Sequence, residues 1–165
     1  MAIPNLIHTE TISEFYEQDH KRLDELFKNY QLWKKEDYPR AREYFLSFKF
    51  GLQRHIIWEE ELLFPFFEKK TGIAEHGPTE VMRHEHRVIG EALEAIHKRV
   101  QVSDPDTDEL EQKLLNVLGL HNDKEEDVLY PAIDAYTKDP VELKKIFDEM
   151  LSIPKERYET CCNHS

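Results

Sequence analysis

Apolar residues recur every three to four positions along most of the chain, which is the period of an amphipathic α-helix. Prolines, glycines and acidic turn residues divide this pattern into four long segments and a short fifth one. Helices are predicted over residues 11–34, 39–70, 78–102 and 106–137, with a short one from about residue 140 to just before Pro154. Long amphipathic helices joined by short loops predict an all-α, up-down-up-down four-helix bundle with a short fifth C-terminal helix.

Two prolines lie inside predicted helices, Pro65 in the second and Pro131 in the fourth. Proline lacks an amide hydrogen and its ring clashes with the preceding turn, so each is expected to kink or break its helix. Each comes ten residues after a histidine, His55 or His121. The shared position indicates that the two halves of the chain are related.

The halves repeat each other at an offset of 66 residues. The segment HIIWEEELLFP at 55–65 returns as HNDKEEDVLYP at 121–131, with five of eleven positions identical. His20 precedes the first segment and His86 the second, each by 35 residues. We therefore predict one domain over residues 1–155, built from pseudo-repeats at about 10–75 and 76–140, with residues 156–165 as a tail.

The repeated residues have the chemistry of a metal site. In each half a His-x3-Glu motif puts an imidazole and a carboxylate on one helix face, because residues i and i+4 are neighbours there. Imidazole and carboxylate together suit first-row transition metals, iron in particular. The predicted ligands of two metal ions are His20, His55, Glu59, His86, His121 and Glu125. A solvated face with ordinary ion pairs is the alternative for either motif alone, and the repetition argues against it.

Composition and charge limit the classes of partner that the protein is expected to bind. The chain has 34 acidic and 22 basic residues, a net charge of −12. So acidic a surface disfavours binding to nucleic acid or to an anionic membrane. No apolar run reaches the roughly 18–20 residues of a membrane span, and the first residues do not resemble a signal peptide, so a cytoplasmic location is expected. The adjacent Cys161 and Cys162 form no disulfide framework and are assigned to a frayed tail, with a small thiol-metal site as the alternative.

Four motifs extend the repeat: Asp19-His20, His55-x3-Glu59-Glu60 with Leu63-Phe64-Pro65, Met82-x2-Glu85-His86, and His121-x3-Glu125-Glu126 with Leu129-Tyr130-Pro131. Together they resemble the motifs of the hemerythrin-like, or HHE cation-binding, domain family over about residues 10–138. The resemblance implies a left-handed four-helix bundle with a non-haem di-iron centre, bridged by an oxo or hydroxo group and by two carboxylates. It implies the same six ligands.

Two positions depart from the pattern of oxygen-carrying hemerythrins. Those proteins have a fifth histidine one turn before the third-helix ligand, where this chain has Met82. They also place the last carboxylate at His-x4, a position held here by Glu126. The repeat favours Glu125 at His-x3, with Glu126 as the alternative. The missing histidine implies an open position on both metals.

Tyr16 and Met82 are repeat equivalents, each four residues before a ligand histidine on the same helix face. We expect them to line a pocket for a small ligand, with ordinary core packing as the alternative.

The expected function is that of a metal-binding protein whose small ligand is O2, NO or peroxide. The leading hypothesis is a di-iron protein that binds O2 or NO for sensing, storage or protection against oxidative and nitrosative stress. The alternatives are a di-iron oxidoreductase that consumes peroxide or nitric oxide, an iron-sulfur cluster repair protein, and a fold switch that depends on metal. The sequence leaves the electron donor and the oligomeric state open.

Overall fold

The computed structural model describes residues 11–159, and every regular element in that range is helical. The α-helices are α1 Ile12–Trp33, α2 Tyr38–Trp58, α3 Phe64–Thr71, α4 Pro78–Gln101, α5 Asp108–Lys124, α6 Tyr130–Asp134 and α7 Pro140–Ser152. Two π-helical turns, Glu59–Leu63 and Glu125–Leu129, join α2 to α3 and α5 to α6, and a 3-10 helix follows at Lys155–Tyr158. The all-α prediction is confirmed.

Four long helical segments form the bundle. The first is α1, the second is α2 continued by α3, the third is α4, and the fourth is α5 continued by α6. Helix α1 packs along α2, and α4 packs along α5, so each half of the chain is a helical hairpin. The hairpins meet through contacts of α1 with α6 and of α2 with α4. This arrangement, with α7 as the short fifth helix, confirms the predicted bundle.

Local capping explains where the helices begin and end. The Thr11 side chain accepts a hydrogen bond from the Glu14 amide at 3.1 Å, and Asp37 accepts one from the Arg40 amide at 3.2 Å. Asp139 caps α7 in the same manner, accepting from Val141 at 2.9 Å. Such side chains satisfy amides that have no partner inside the helix. Helix α3 ends at Gly72, whose φ of 73° is the left-handed conformation that glycine adopts without strain.

Of the expected kink or break, the structure shows no break, since helical structure continues through both prolines, but each half has a local distortion just before its proline. In each half the residue before the proline donates its amide to a carbonyl five residues back: Phe64 to Glu59, and Tyr130 to Glu125. These bonds define a π turn, which is wider than an α turn. In each half the π turn ends just before the proline, and an α-helix continues from there. The repeat therefore extends to a helical distortion, placed where each half supplies its carboxylate.

The buried apolar side chains form two clusters. The first core contains Phe15, Tyr16, Trp58, Phe64, Met82, Leu129, Tyr130, Phe147 and Met150, among others, and the second contains Leu23, Phe27, Phe45, Leu52, Ile89, Leu93, Ile96 and Leu118, among others. Three valines that follow the apolar periodicity, Val81, Val88 and Val128, are exposed instead. On α4 the buried stripe runs through Met82, His86 and Ile89, and Val81 and Val88 lie beside it.

Helix α7 and the segment after it cover the first core. The ring of Phe147 lies 5.2 Å from that of Phe15. Tyr158, within the predicted tail, is buried and accepts a hydrogen bond from the Trp58 indole at 2.8 Å. Cys161 and Cys162 lie outside the described residues. None of the described helices combines the length and the apolar character needed to cross a membrane.

Replacing Tyr158 with Phe should lower the free energy of unfolding by about 1–3 kcal/mol, because the buried Trp58 indole would lose its acceptor. Urea unfolding at matched metal content measures this. The control is Tyr136→Phe at a position that is 42% exposed, where a change within about 0.5 kcal/mol is expected. Equal stability of the two variants would contradict the prediction.

Candidate metal centre

The predicted ligands meet in the middle of the bundle, between the two cores. His20 comes from α1, His55 from the end of α2, His86 from α4 and His121 from α5. Glu59 and Glu125 are the first residues of the two π turns. All six are buried.

Within each hairpin the imidazoles face each other through their Nε2 atoms. The Nε2 atoms of His20 and His55 are 3.1 Å apart, and those of His86 and His121 are 3.2 Å apart. Each His-x3-Glu motif presents both side chains on one face as expected. The Nε2 of His55 lies 2.9 Å from Oε1 of Glu59, and His121 has the same distance to Glu125.

The two carboxylates also reach towards the opposite hairpin. Oε1 of Glu125 lies 3.5 Å from Nε2 of His20, and Oε1 of Glu59 lies 3.9 Å from Nε2 of His86. Among the described residues, two clusters have donor atoms close enough to share an ion: His20, His55 and Glu125, and His86, His121 and Glu125. Glu125 belongs to both, as expected of a bridging carboxylate.

The buried carboxylate oxygens test whether a cation fits. Oε1 of Glu59 and both carboxylate oxygens of Glu125 are buried and accept no well-aligned hydrogen bond in the described part of the chain, although Nε2 of His55 and Nε2 of His121 each lie 2.9 Å from one of them. Burial and the negative charge of Glu125 raise the pKa of Glu59 well above its usual range. A buried carboxylate without a partner is unfavourable by several kcal/mol unless it is protonated or bound to a metal. The donor set therefore fits metal ions of the class that binds imidazole and carboxylate.

A carboxylate outside the centre contacts the Nδ1 atom of each predicted ligand histidine. Asp19 contacts Nδ1 of His55 at 2.8 Å, and Glu85 contacts Nδ1 of His121 at 2.8 Å, both within a hairpin. Two more such contacts cross between hairpins: Glu126 to Nδ1 of His20 at 2.7 Å, and Glu60 to Nδ1 of His86 at 2.8 Å. A carboxylate at Nδ1 fixes the ring and leaves Nε2 free to bind metal.

These four carboxylates were visible in the motifs, but sequence reasoning gave three of them no role and named Glu126 as an alternative ligand. The available signal was their position, since Asp19 and Glu85 precede a ligand and Glu60 and Glu126 follow one. The structure places Glu126 against the outer side of His20, with its side chain 35% exposed, whereas Glu125 is fully buried at the centre.

The two halves differ in how these outer carboxylates, which contact the Nδ1 atoms, are held in place. Asp19 is fully buried and is also bound by the Arg22 guanidinium, with Nη2 at 2.8 Å. Burial opposes ionisation of Asp19, but the hydrogen bond and charge of His55, together with Arg22, lower its pKa to about 2. Its counterpart Glu85 is partly exposed and pairs with Lys124. The carboxylate behind His55 is thus more firmly held than the one behind His121.

Tyr16 and Met82 pack in the first core, next to the centre. The Tyr16 ring lies edge-on to His55 with centroids 5.0 Å apart, and its hydroxyl is 3.9 Å from the Met150 sulfur. Neither residue lines the cavities described below. The predicted pocket role for this pair remains a prediction.

A narrow cavity touches the centre from the side of the second core. Its apolar lining is Leu23, Leu52, Ile56, Ile89 and Leu118, and it also borders His20, His55, His121 and Glu125. An open groove between α1 and α5 shares its lining with the cavity at His20, Asp24, Leu118 and Asn122. The groove and the cavity therefore adjoin at these residues, and Leu118 is the apolar side chain that borders both.

Tyr130 is a further residue at the centre that sequence reasoning did not single out. Its hydroxyl lies 3.2 Å from Nε2 of His55 and 3.3 Å from Oε2 of Glu59. Burial and the charges of Glu125 and Glu59 raise the pKa of Tyr130 well above its usual range. Without a cation the phenol therefore stays protonated and donates to Glu59.

Residues 11–133 match the hemerythrin HHE cation binding domain, and the chain belongs to this family. It is 34% identical over 94 residues to the iron-sulfur cluster repair protein YtfE of Edwardsiella ictaluri, covering 52% of this chain and 42% of the relative. It is 33% identical over 82 residues to an uncharacterized hemerythrin-like protein of Schizosaccharomyces pombe, covering 50% and 39% respectively. The chain thus spans less than half the length of either relative. No solved structure gives a significant match.

Replacing Glu125 with Ala should abolish metal binding at both candidate clusters, because this carboxylate belongs to each of them. Metal analysis of the purified variant measures the effect. Glu109→Gln, an exposed change at the start of α5, serves as the control and should keep the wild-type metal content. Two ions per chain in the Glu125 variant would rule out the shared role.

Replacing Asp19 with Asn should weaken metal binding by about 10–100-fold, because the outer carboxylate orients His55 and strengthens it as a donor. Glu85→Gln should have a smaller effect, since Glu85 is partly exposed and its loss leaves a more solvated site. Competition with a chelator gives both affinities. A larger loss in the Glu85 variant would contradict the structural ranking of the two halves.

Proposed function

We propose that this chain is a non-haem di-iron protein that binds O2 or NO, for sensing, storage or protection against oxidative and nitrosative stress. The observation that carries the proposal is the largely apolar cavity that borders His20, His55, His121 and Glu125, which belong to the two buried donor clusters. Iron supplies a reactive position for such small ligands when it is bound. Nitrogen and oxygen donors of this kind suit it.

The protein's own residues would hold the two ions and set their environment. His20 and His55 would hold one ion, His86 and His121 the other, with Glu59 and Glu125 between them. The outer carboxylates at each Nδ1 keep the imidazoles in position. The apolar lining by Leu52, Ile89 and their neighbours suits an uncharged diatomic ligand better than an ionic one.

Metal analysis together with the visible spectrum of the purified protein tests the proposal. Two irons per chain, and a spectrum that changes reversibly with O2 or NO, are the expected result. Zinc or no metal would overturn the di-iron assignment. Iron that shows no spectral response to either gas would overturn the ligand assignment alone.

Leu118→Trp should slow the binding of NO or O2 by at least about tenfold, because Leu118 lines both the groove and the cavity. Metal content and the free energy of unfolding are measured for the same variant, because Leu118 is buried in the second core and the larger ring must be accommodated there. Stopped-flow absorbance measures the rate. The control is Leu120→Trp on the same helix, at a position that is 66% exposed. Equal rates for both variants would show that ligands enter elsewhere.

Cluster repair is the second candidate function, favoured because one relative is an iron-sulfur cluster repair protein. Restoration of activity to an enzyme whose iron-sulfur cluster has been damaged by NO would support it. An oxidoreductase would instead consume peroxide or NO continuously when given an electron donor. Reversible gas binding without either activity favours the leading proposal.

A further inference from the structure

The two halves of the centre differ at the residue before each proline. Phe64 holds this position in the first half and Tyr130 in the second. The Phe64 ring stacks on His86, with centroids 5.7 Å apart and planes inclined by 12°. The Tyr130 ring faces His20 in the corresponding way, at 5.9 Å and 36°. The rings are equivalent in position, but only Tyr130 brings an oxygen atom to the centre.

The Tyr130 hydroxyl lies among donor atoms of one side of the centre. It is 3.2 Å from Nε2 of His55, 3.5 Å from Nε2 of His20 and 3.3 Å from Oε2 of Glu59. Nitrogen and oxygen ligands bind a transition metal at about 2.0–2.2 Å, so ligands at right angles around one ion lie about 3 Å apart. The hydroxyl therefore has the spacing of another ligand of the ion between His20 and His55.

Packing holds this hydroxyl in place. Tyr130 is fully buried, and the Tyr16 ring lies against it with centroids 5.0 Å apart. Tyr16 is buried to the same extent, but its own hydroxyl contacts the Met150 sulfur at 3.9 Å. The two tyrosines thus share one environment, and only Tyr130 directs its oxygen to the donor atoms.

We infer that Tyr130 is a protein ligand of the metal held by His20 and His55, and that the two metal positions are therefore not equivalent. The inference rests on the proposed metal centre. On binding, the phenol O–H bond breaks, a metal–oxygen bond forms and the proton is released to the buffer, without any change of oxidation state. The position between His86 and His121 lacks this ligand, because Phe64 stands there. Coordination by Tyr130 would make that second position the more open one, in place of the equal openness expected from the repeat.

The visible spectrum of the iron(III)-loaded full chain provides the first test. A tyrosine oxygen bound to iron(III) gives a charge-transfer band, with tyrosine ring vibrations enhanced in the resonance Raman spectrum. Tyr130→Phe should abolish both signals and Tyr16→Phe should retain them. Phe64→Tyr should add a second tyrosine and roughly double the band.

Stepwise removal of metal provides a second test without activity or redox chemistry. In the zinc-loaded protein, native mass spectrometry under increasing chelator counts the ions that remain. Tyr130→Phe should release one of its two ions at least tenfold more readily than the wild type, whereas Tyr16→Phe should match the wild type. Circular dichroism confirms that each variant is folded.

The outcomes separate this inference from the proposed function. A wild-type chain that binds no metal would overturn both. A wild-type chain with two irons, and a Tyr130→Phe variant with unchanged spectrum and unchanged metal release, would overturn the role of Tyr130 alone. In that case Tyr130 serves only as a hydrogen-bond donor to Glu59.

Discussion

Two carboxylates, Glu59 and Glu125, lie fully buried at the middle of the bundle with oxygen atoms that accept no well-aligned hydrogen bond from the described residues. Burial of such groups is unfavourable unless a cation or a proton compensates their charge. The surrounding arrangement follows from this constraint. Four imidazoles direct Nε2 towards the carboxylates, and four outer carboxylates hold those imidazoles by Nδ1. The bundle thus stabilises a strongly polar centre between two apolar cores.

The same centre connects the protein's stability to its metal. A cation that binds only the folded chain adds its binding free energy to the free energy of unfolding. The helical hairpins would then be joined at the centre by metal as well as by apolar packing. The π turns contribute directly, because each begins at the glutamate that faces the opposite hairpin. A distortion at that residue is a frequent feature of functional sites in helices.

Much of the fold and of the candidate site could be predicted from the sequence. Helical periodicity located the long helices to within a few residues, because the buried stripe of each helix is continuous. The predicted ligands converge because His-x3-Glu needs only helix geometry to share one face. Val81, Val88 and Val128 follow the apolar period but are exposed, because periodicity locates the buried stripe and tertiary packing decides which side chains at its edge are covered. The sequence prediction also missed the uses of Glu60, Glu85 and Tyr130, which depend on the helix opposite each of them.

The sequence by itself determined the helices, the duplication and the identity of the predicted ligands, because local periodicity and spacing along one helix carry that information. Tertiary structure decided which residues of the neighbouring helices each side chain contacts. It placed Glu126 on the outer side of His20 and the Tyr130 hydroxyl beside His55, and it directed the Tyr16 hydroxyl to Met150 instead. The two halves differ at the centre because the sequence has Tyr130 where the first half has Phe64, and packing between helices then decides which tyrosine hydroxyl reaches the donor atoms.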